Sequence, residues 1–137
     1  MSFFEWNGQY DLGLDDIDND HRRFLGLINT LHEAVQQGKG QDLQGKILSN
    51  LILHVNSHFA AEEDLMLRCR YPSYQDHKSE HRIFAQHVYE LQRQFAFGNQ
   101  ATATEMLNSL ATWFQHHITG TDIKLRPYAL RDLMIKR

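Results

Sequence analysis

Two pairs of potential metal ligands are each spaced four residues apart in this sequence. The first pair is His58 and Glu62, and the second is His77 and His81. Residues at positions i and i+4 of a helix lie on one face, with Cβ atoms about 5–6 Å apart. If both segments are helical, each pair directs two ligand atoms toward one point. Imidazole and carboxylate groups in this arrangement suit several transition metals.

A third pair, His117 and Asp122, has a spacing of five residues. On a regular helix this spacing turns Asp122 roughly 140° away from His117, at ~100° per residue. The two side chains converge only if the helix is distorted or ends between them. Gly120 lies between them and is expected to permit the distortion, because glycine adopts conformations that other residues avoid.

These polar residues, together with His21, occupy positions that the hydrophobic pattern assigns to the core. A buried imidazole or carboxylate without a partner costs several kcal/mol, so the groups must satisfy one another or bind a metal. Their number exceeds the ligands of a single ion, about four to six, and favours two ions bridged by carboxylates. The expected metal ligands are His21, His58, Glu62, His77, His81, His117 and Asp122.

The elements that must position these residues are four stretches with helical periodicity. The chain has only 2 prolines, where average usage gives about seven, and this favours long uninterrupted helices. Pro72 is expected to end the second helix, and Ser73 is expected to cap the third. The predicted helices span about residues 18–37, 42–70, 73–97 and 104–119.

Four amphipathic helices joined by short connections are typical of an antiparallel up-down-up-down four-helix bundle. We therefore expect an all-α fold that forms a single domain over residues 1–137. The segment before residue 16 carries Phe3, Phe4 and Trp6 and is expected to lie across the bundle as an N-terminal arm. Residues 126–137 are expected to form a short C-terminal tail without a predicted structure.

Composition and charge exclude several classes of function. With 42% hydrophobic and 23% charged residues, the chain is ordinary globular material, and no apolar run reaches the ~18 residues of a membrane span. The net charge of -3 includes no basic stripe, so neither nucleic acid nor a membrane surface is an expected partner. The single cysteine and the absence of a signal-peptide pattern at the N-terminus favour a cytoplasmic location.

The order of the ligand motifs, a histidine followed by HxxxE, HxxxH and HxxxxD, resembles the hemerythrin family. The resemblance covers nearly the whole chain. It includes the segment from Asp18 to His21, the Tyr71-Pro72 step before the third helix, and Trp113 near His117. The resemblance implies a non-haem di-iron protein that binds O2 reversibly for storage, delivery or scavenging, and that is not an enzyme.

The same resemblance implies a role for each ligand. Three histidines, His77, His81 and His117, would hold one iron, and His21 and His58 would hold the other. Glu62, Asp122 and an oxo or hydroxo group would bridge the two ions, and O2 would bind at the open position of the second iron. The choice of iron over other metals comes from the resemblance. The protein that accepts the oxygen is unknown.

An apolar pocket for O2 can be placed beside these ligands from the predicted helix faces. A dry lining slows the displacement of the bound oxygen species by water or anions. Many relatives carry leucine at the position of Phe114, so the pocket here is expected to be more crowded. The expected pocket residues are Phe24, Phe59, Trp113, Phe114 and Ile118.

Other functions and residues are weighed against this interpretation. The same centre could serve an enzyme that reduces peroxide or nitric oxide, or an oxygen sensor that acts with a partner. A ferritin-like oxygenase fits less well, because its Glu-x-x-His motif is missing from the helix seams. Glu63 is expected to face solvent, about 100° away from Glu62, and Cys69 is expected to be a buried, inert thiol. No role is assigned to His32, His54, His87 and His116.

Overall fold

The computed structural model describes residues 4–38, 40–98 and 100–135 of the chain. A short 3-10 helix, Gly8–Tyr10, precedes the long helices, and a π-helical segment, His117–Asp122, joins the last two of them. The α-helices are α1 (Asp15–Gln36), α2 (Gln41–Arg68), α3 (Tyr74–Ala96), α4 (Gln100–His116) and α5 (Ile123–Ile135).

The first four helices form the bundle that the sequence predicts. Helix α1 packs against α2 and α4, and α3 packs against α2 and α4. Because successive helices are joined by only a few residues, neighbours run antiparallel in an up-down-up-down arrangement. The all-α fold class is therefore confirmed.

The buried face of α3 shows why these segments form helices. Its buried residues advance in steps of three and four along one stripe, as predicted, and end with Val88, Leu91 and Phe95. Each such apolar side chain contributes roughly 1.5–3 kcal/mol when it is fully buried. The polar residues His77 and His81 occupy the same stripe at the N-terminal end of the helix. The packing that forms the helix therefore also fixes the direction of the two imidazoles.

The turn between α2 and α3 sets the starting point of α3. Arg70 adopts a left-handed conformation with φ of 55°, and the N–H of Tyr71 donates to the carbonyl of Met66 at 2.9 Å. This pattern closes a helix C-terminus, and Pro72 follows it as predicted. Ser73 occupies the N-cap position but its side chain makes no capping hydrogen bond.

The N-terminal arm lies across the bundle as expected. The side chain of Asn29 on α1 accepts from the N–H of Phe4 and donates to its carbonyl, both at 2.7 Å. The buried ring of Phe4 meets Phe114 edge to face at 5.9 Å. Trp6 packs against Tyr10, whereas Phe3 lies outside the described residues.

The C-terminal segment, for which the sequence predicts no particular structure, contributes to helix α5, which spans Ile123–Ile135. Leu125 and Ala129 are buried one turn apart, and α5 packs against α2. Arg126 also ties α5 to the arm, since its Nε donates to the carbonyl of Leu12 at 2.6 Å. Helix α4 begins at Gln100 rather than near residue 104, and from its end at His116 the chain continues through the π-helical segment into α5.

None of the helices in the described ranges is long and apolar enough to cross a membrane.

Candidate metal centre

Helices α1, α2 and α3 and the π-helical segment that follows α4 bring the seven predicted ligands together at one end of the bundle. The seven side chains form two groups, and within each group the ligand atoms all lie within 4.8 Å of one another. All seven side chains are buried. The first group is Glu62, His77, His81, His117 and Asp122, and the second is His21, His58 and Glu62.

Glu62 lies between the two groups of histidines. Its Oε1 is 3.2 Å from Nε2 of His81 and also contacts Nε2 of His77. Its Oε2 is 3.2 Å from Nε2 of His58, on the other side. Each carboxylate oxygen therefore faces a different group of imidazoles.

Asp122 has the same arrangement. Its Oδ1 lies 3.0 Å from Nε2 of His77 and 3.0 Å from Nε2 of His117. Its Oδ2 lies 3.1 Å from Nε2 of His21. Three imidazoles thus converge on one side of the two carboxylates and two imidazoles on the other.

The π-helical turn explains how His117 and Asp122 converge. In a π-helix the backbone hydrogen bonds join residues five apart, so the His117–Asp122 spacing fits this turn. The expected role of Gly120 in permitting the distortion is not supported, because its φ is not positive and a Cβ there would meet nothing within 4 Å. The convergence that the sequence requires is present, but it comes from a change of helix type.

Three carboxylates outside the cluster contact the Nδ1 atoms of three imidazoles, on the side of each ring that faces away from the cluster. Nδ1 of His58 lies 3.0 Å from Asp20, and Nδ1 of His81 lies 3.0 Å from Glu63. An imidazole that donates its Nδ1 proton to a carboxylate presents Nε2 as the free lone pair. Both rings therefore present Nε2 toward the cluster.

The expectation that Glu63 faces solvent is therefore wrong. Its position about 100° from Glu62 on α2 directs it toward α3, where His81 is in reach, and its side chain is only 21% exposed. Sequence spacing within one helix cannot show such a contact, because the partner comes from the neighbouring helix.

Glu80 is a third outer carboxylate, which the sequence did not single out. It accepts from Nδ1 of His117 at 3.3 Å and from the hydroxyl of Thr121 at 2.9 Å. It therefore connects α3 to both ends of the π-helical turn. A glutamate one residue before a predicted ligand, His81, was the available signal, but its partners lie on another element.

Several buried atoms of the cluster have no hydrogen-bond partner among the residues that the structure describes. They include Nε2 of His21, His77 and His117 together with Oε2 of Glu62 and both carboxylate oxygens of Asp122. Leaving such groups unsatisfied costs about 1–3 kcal/mol each. A bound cation would pair with these converging nitrogen and oxygen atoms, so the residues present fit a metal centre.

When no metal is bound, protons on the imidazoles partly balance the negative charge of the carboxylates in the cluster. Burial alone would lower the pKa of His58, but the adjacent carboxylates of Asp20 and Glu62 raise that pKa to about 10. The pKa of His77 is raised to about 9, and that of His117 to about 10, because the nearby carboxylates outweigh burial. Burial would raise the pKa of Glu62, but the adjacent imidazoles of His58, His77 and His81 hold it well below its usual value.

The comparison with known proteins agrees with this geometry. The family described as the hemerythrin HHE cation binding domain matches residues 12–129, which include all seven side chains. The chain belongs to the hemerythrin family.

Individual hemerythrin relatives cover most of the chain. A bacteriohemerythrin of Stenotrophomonas maltophilia is 33% identical over 122 residues, which is 89% of this chain and 78% of that protein. A bacteriohemerythrin of Clostridium acetobutylicum is 28% identical over 123 residues, covering 87% of this chain and 95% of that protein. The crystal structure of wild-type hemerythrin superposes with a TM-score of 0.85 at 25% identity, covering 93% of this chain and 98% of that chain.

Two of the five expected pocket residues pack together on the His21 side of the cluster in this hemerythrin fold. The ring of Phe114 meets His21 edge to face with centroids 5.4 Å apart, and Phe24 packs on Phe114 at 4.2 Å. Ile118 is fully buried. These side chains offer only carbon to their surroundings.

The other two aromatic residues cover the three-histidine group. Phe59 stacks on His81 with centroids 3.9 Å apart, and Trp113 stacks on His117 at 4.5 Å. The ring of Phe84, a fully buried residue of α3, lies 4.2 Å from that of Trp113 and 5.7 Å from that of Phe59. It connects the two stacked rings.

The histidines without an expected role lie outside the cluster. His116 and His87 are exposed, so the assignment of His117 rather than its neighbour agrees with burial. Nε2 of His54 lies 2.8 Å from the backbone oxygen of Asp20. Cys69 is half-buried rather than buried, and burial raises the pKa of its thiol.

Proposed function

We propose that this chain binds O2 reversibly at a centre of two iron ions. The observation that carries the proposal is the position of Glu62 and Asp122, each with one oxygen toward the three-imidazole group and the other toward the two-imidazole group. The group with His21 and His58 has fewer protein ligands, and this leaves room for an external ligand there. The bacterial relatives named bacteriohemerythrin support the choice of iron and O2.

Two ferrous ions held by these seven side chains would supply the two electrons that reversible O2 binding needs. The residues of the chain provide the setting for this chemistry. Glu62 and Asp122 supply negative charge at the centre of the cluster, and Asp20, Glu63 and Glu80 orient imidazoles so that Nε2 faces inward.

The aromatic side chains keep this setting dry. Phe24 and Phe114 cover the side of His21, where a water-excluding wall slows displacement of the bound ligand. Their carbon surfaces supply no proton that would drive the bound oxygen toward irreversible reduction. We therefore favour a carrier over an enzyme that consumes peroxide or nitric oxide.

A reducing, cytoplasmic location fits this role. The chain has 1 cysteine and so forms no internal disulfide, and ferrous iron persists longer in a reducing environment.

Cycling the iron-loaded, reduced protein between O2 and vacuum tests the proposal. The visible absorption that develops under O2 should disappear under vacuum and return over repeated cycles, with no accumulation of hydrogen peroxide. Colour that bleaches irreversibly while O2 is consumed would support the enzyme instead.

A further inference from the structure

A crevice between α1 and α2 leads from solvent to the buried cluster. Its cavity volume is about 260 Å³, compared with about 30 Å³ for one water molecule in the liquid. The outer wall carries Asp16 from α1 and Asp64 from α2, and the inner wall carries His58 and Glu62. This space is large enough for a cation that still holds several waters.

The carboxylates along the crevice become less exposed from its mouth to the cluster. Asp16 is exposed, the side chain of Asp20 is 39% exposed, and Glu62 is fully buried. Oε2 of Glu62 has no hydrogen-bond partner within the described part of the chain, although Nε2 of His58 is 3.2 Å away, whereas Oε1 lies 3.2 Å from Nε2 of His81. A buried carboxylate oxygen without a partner at the inner end marks the crevice as a cation path rather than a merely acidic surface.

A second crevice, between α2 and α3, has the opposite charge. Its volume is about 280 Å³ and it reaches His81 and Phe59, but its rim carries Lys78 and Arg82 with a single carboxylate, Glu63. A cation approaching by this opening meets repulsion. The two crevices are similar in size and differ in charge, so electrostatics selects between them.

We propose that the α1–α2 crevice is the route by which a hydrated divalent cation, such as Fe²⁺, reaches the centre. Asp16 and Asp64 attract the ion at the mouth, Asp20 lines the passage, and Glu62 and His58 receive it. Arg68 lies at the rim and is held by Asp64 at 2.7 Å, so it lowers the attraction without closing the path. This inference rests on the proposed function only in requiring that the cluster binds metal.

The test compares metal uptake by two variants that lose the same charge. Asp16→Asn/Asp64→Asn removes two carboxylates from the crevice. The control, Glu33→Gln/Glu105→Gln, removes two exposed carboxylates about 18 Å along the helix axes from His21 and His117, at 1.5 Å per residue. At about 0.1 M salt this separation exceeds the Debye length of about 10 Å.

Chelator-treated protein is mixed anaerobically with Fe²⁺, and quenching of tryptophan fluorescence reports uptake, because Trp113 stacks on His117. We expect uptake by the crevice variant to be roughly three- to tenfold slower than in wild type and the control to differ less than twofold. The difference should shrink at about 1 M salt, where the Debye length is about 3 Å. Final iron content should be the same in all three proteins.

Two further variants keep the result clear if the aspartate changes disturb folding. Arg68→Gln should accelerate uptake, because it removes the positive charge at the rim. Lys78→Gln/Arg82→Gln, which removes the repulsion at the second crevice, should accelerate uptake less than Arg68→Gln does. Equal rates in the crevice and control variants, or acceleration only in the Lys78/Arg82 variant, would overturn the route while leaving the metal centre intact. A wild-type protein that takes up no Fe²⁺ at equilibrium would overturn the proposed function as well.

Discussion

Glu62 and Asp122 differ from the other carboxylates near the cluster because each faces both groups of imidazoles. Glu63 touches only the outer nitrogen of His81. The two kinds of carboxylate should therefore respond differently to loss of charge. Glu62→Gln or Asp122→Asn should prevent retention of two ions, whereas Glu63→Gln should weaken binding by about 10–100-fold, as is usual for a group behind a ligand.

Metal analysis after gel filtration in a competing chelator measures this difference. Glu105→Gln is the control, since Glu105 is exposed and lies far from the cluster. Wild-type iron content in the Glu62 and Asp122 variants would count against their bridging role. An unchanged affinity in Glu63→Gln would show that the His81 contact does not support binding.

Phe114 is the residue through which the dryness of the pocket can be tested. It is buried against His21, Phe24 and Phe4, so Phe114→Ala should cost roughly 3–5 kcal/mol and leave a cavity that admits water. The oxygenated absorption should then decay faster, with iron content unchanged. The decay is measured at matched pH and anion concentration in variant and wild type. A destabilised fold with an unchanged decay rate would mean that Phe114 serves only as core.

The π-helical turn is the element on which the Asp122 position depends. A Cβ at Gly120 meets nothing within 4 Å and the φ there is not positive, so Gly120→Ala should change the free energy of unfolding by no more than about 1 kcal/mol. Thr121→Val should have a larger effect, because it removes the hydroxyl that donates to Glu80.

Hydrogen exchange of the amides from 117 to 122 and metal affinity measure both effects. Exchange should accelerate and affinity should fall in Thr121→Val, and Thr121→Ser should restore both. A large loss of metal in Gly120→Ala with no effect of Thr121→Val would show that Gly120, and not the hydrogen bond from Thr121 to Glu80, determines the conformation of this turn.

The helices show how far the sequence alone can lead. Seam residues such as Phe84 and Leu91 in α3 were predictable because burial follows the helical period. The ligand cluster was predictable because polar residues on such a seam need partners. Helix α5 was missed because Gly120 and Pro127 suggest an interruption, and only packing of Leu125 against the bundle outweighs that local signal.

The outer carboxylates mark the limit of the same reasoning. Glu80 on α3 reaches His117 and Thr121, and Glu63 on α2 reaches His81. Both contacts cross between elements, so they depend on the rotation and offset of neighbouring helices. No spacing within one helix encodes those quantities.

The stability of the whole molecule should depend on pH in opposite directions with and without metal. In the metal-free protein the pKa values of His58, His77 and His117 are raised to about 9–10. The stabilisation that these protonated imidazoles provide is fully present below 6.5, the pKa of histidine in the unfolded chain. It is lost as the pH rises through the folded-state values toward 10. The pKa values of Glu62 and Asp122 are lowered, so their contribution is lost only in acid.

Urea unfolding of the metal-free protein should therefore give a free energy that is highest at about pH 5–6.5 and declines toward pH 9. The metal-loaded protein should instead lose stability as pH falls, because protonated imidazoles release the metal. Parallel titrations of the two forms measure both slopes. A metal-free form whose stability rises between pH 6.5 and 9 would contradict the paired charges in the cluster.

The number of ions that the folded chain holds tests the dinuclear centre most directly. Metal-free protein is titrated anaerobically with Fe²⁺, and bound iron is determined against protein concentration after removal of free metal. Seven buried ligands with two carboxylates between the imidazole groups should retain two irons per chain. A reproducible value of one iron per chain would contradict the arrangement proposed for Glu62 and Asp122.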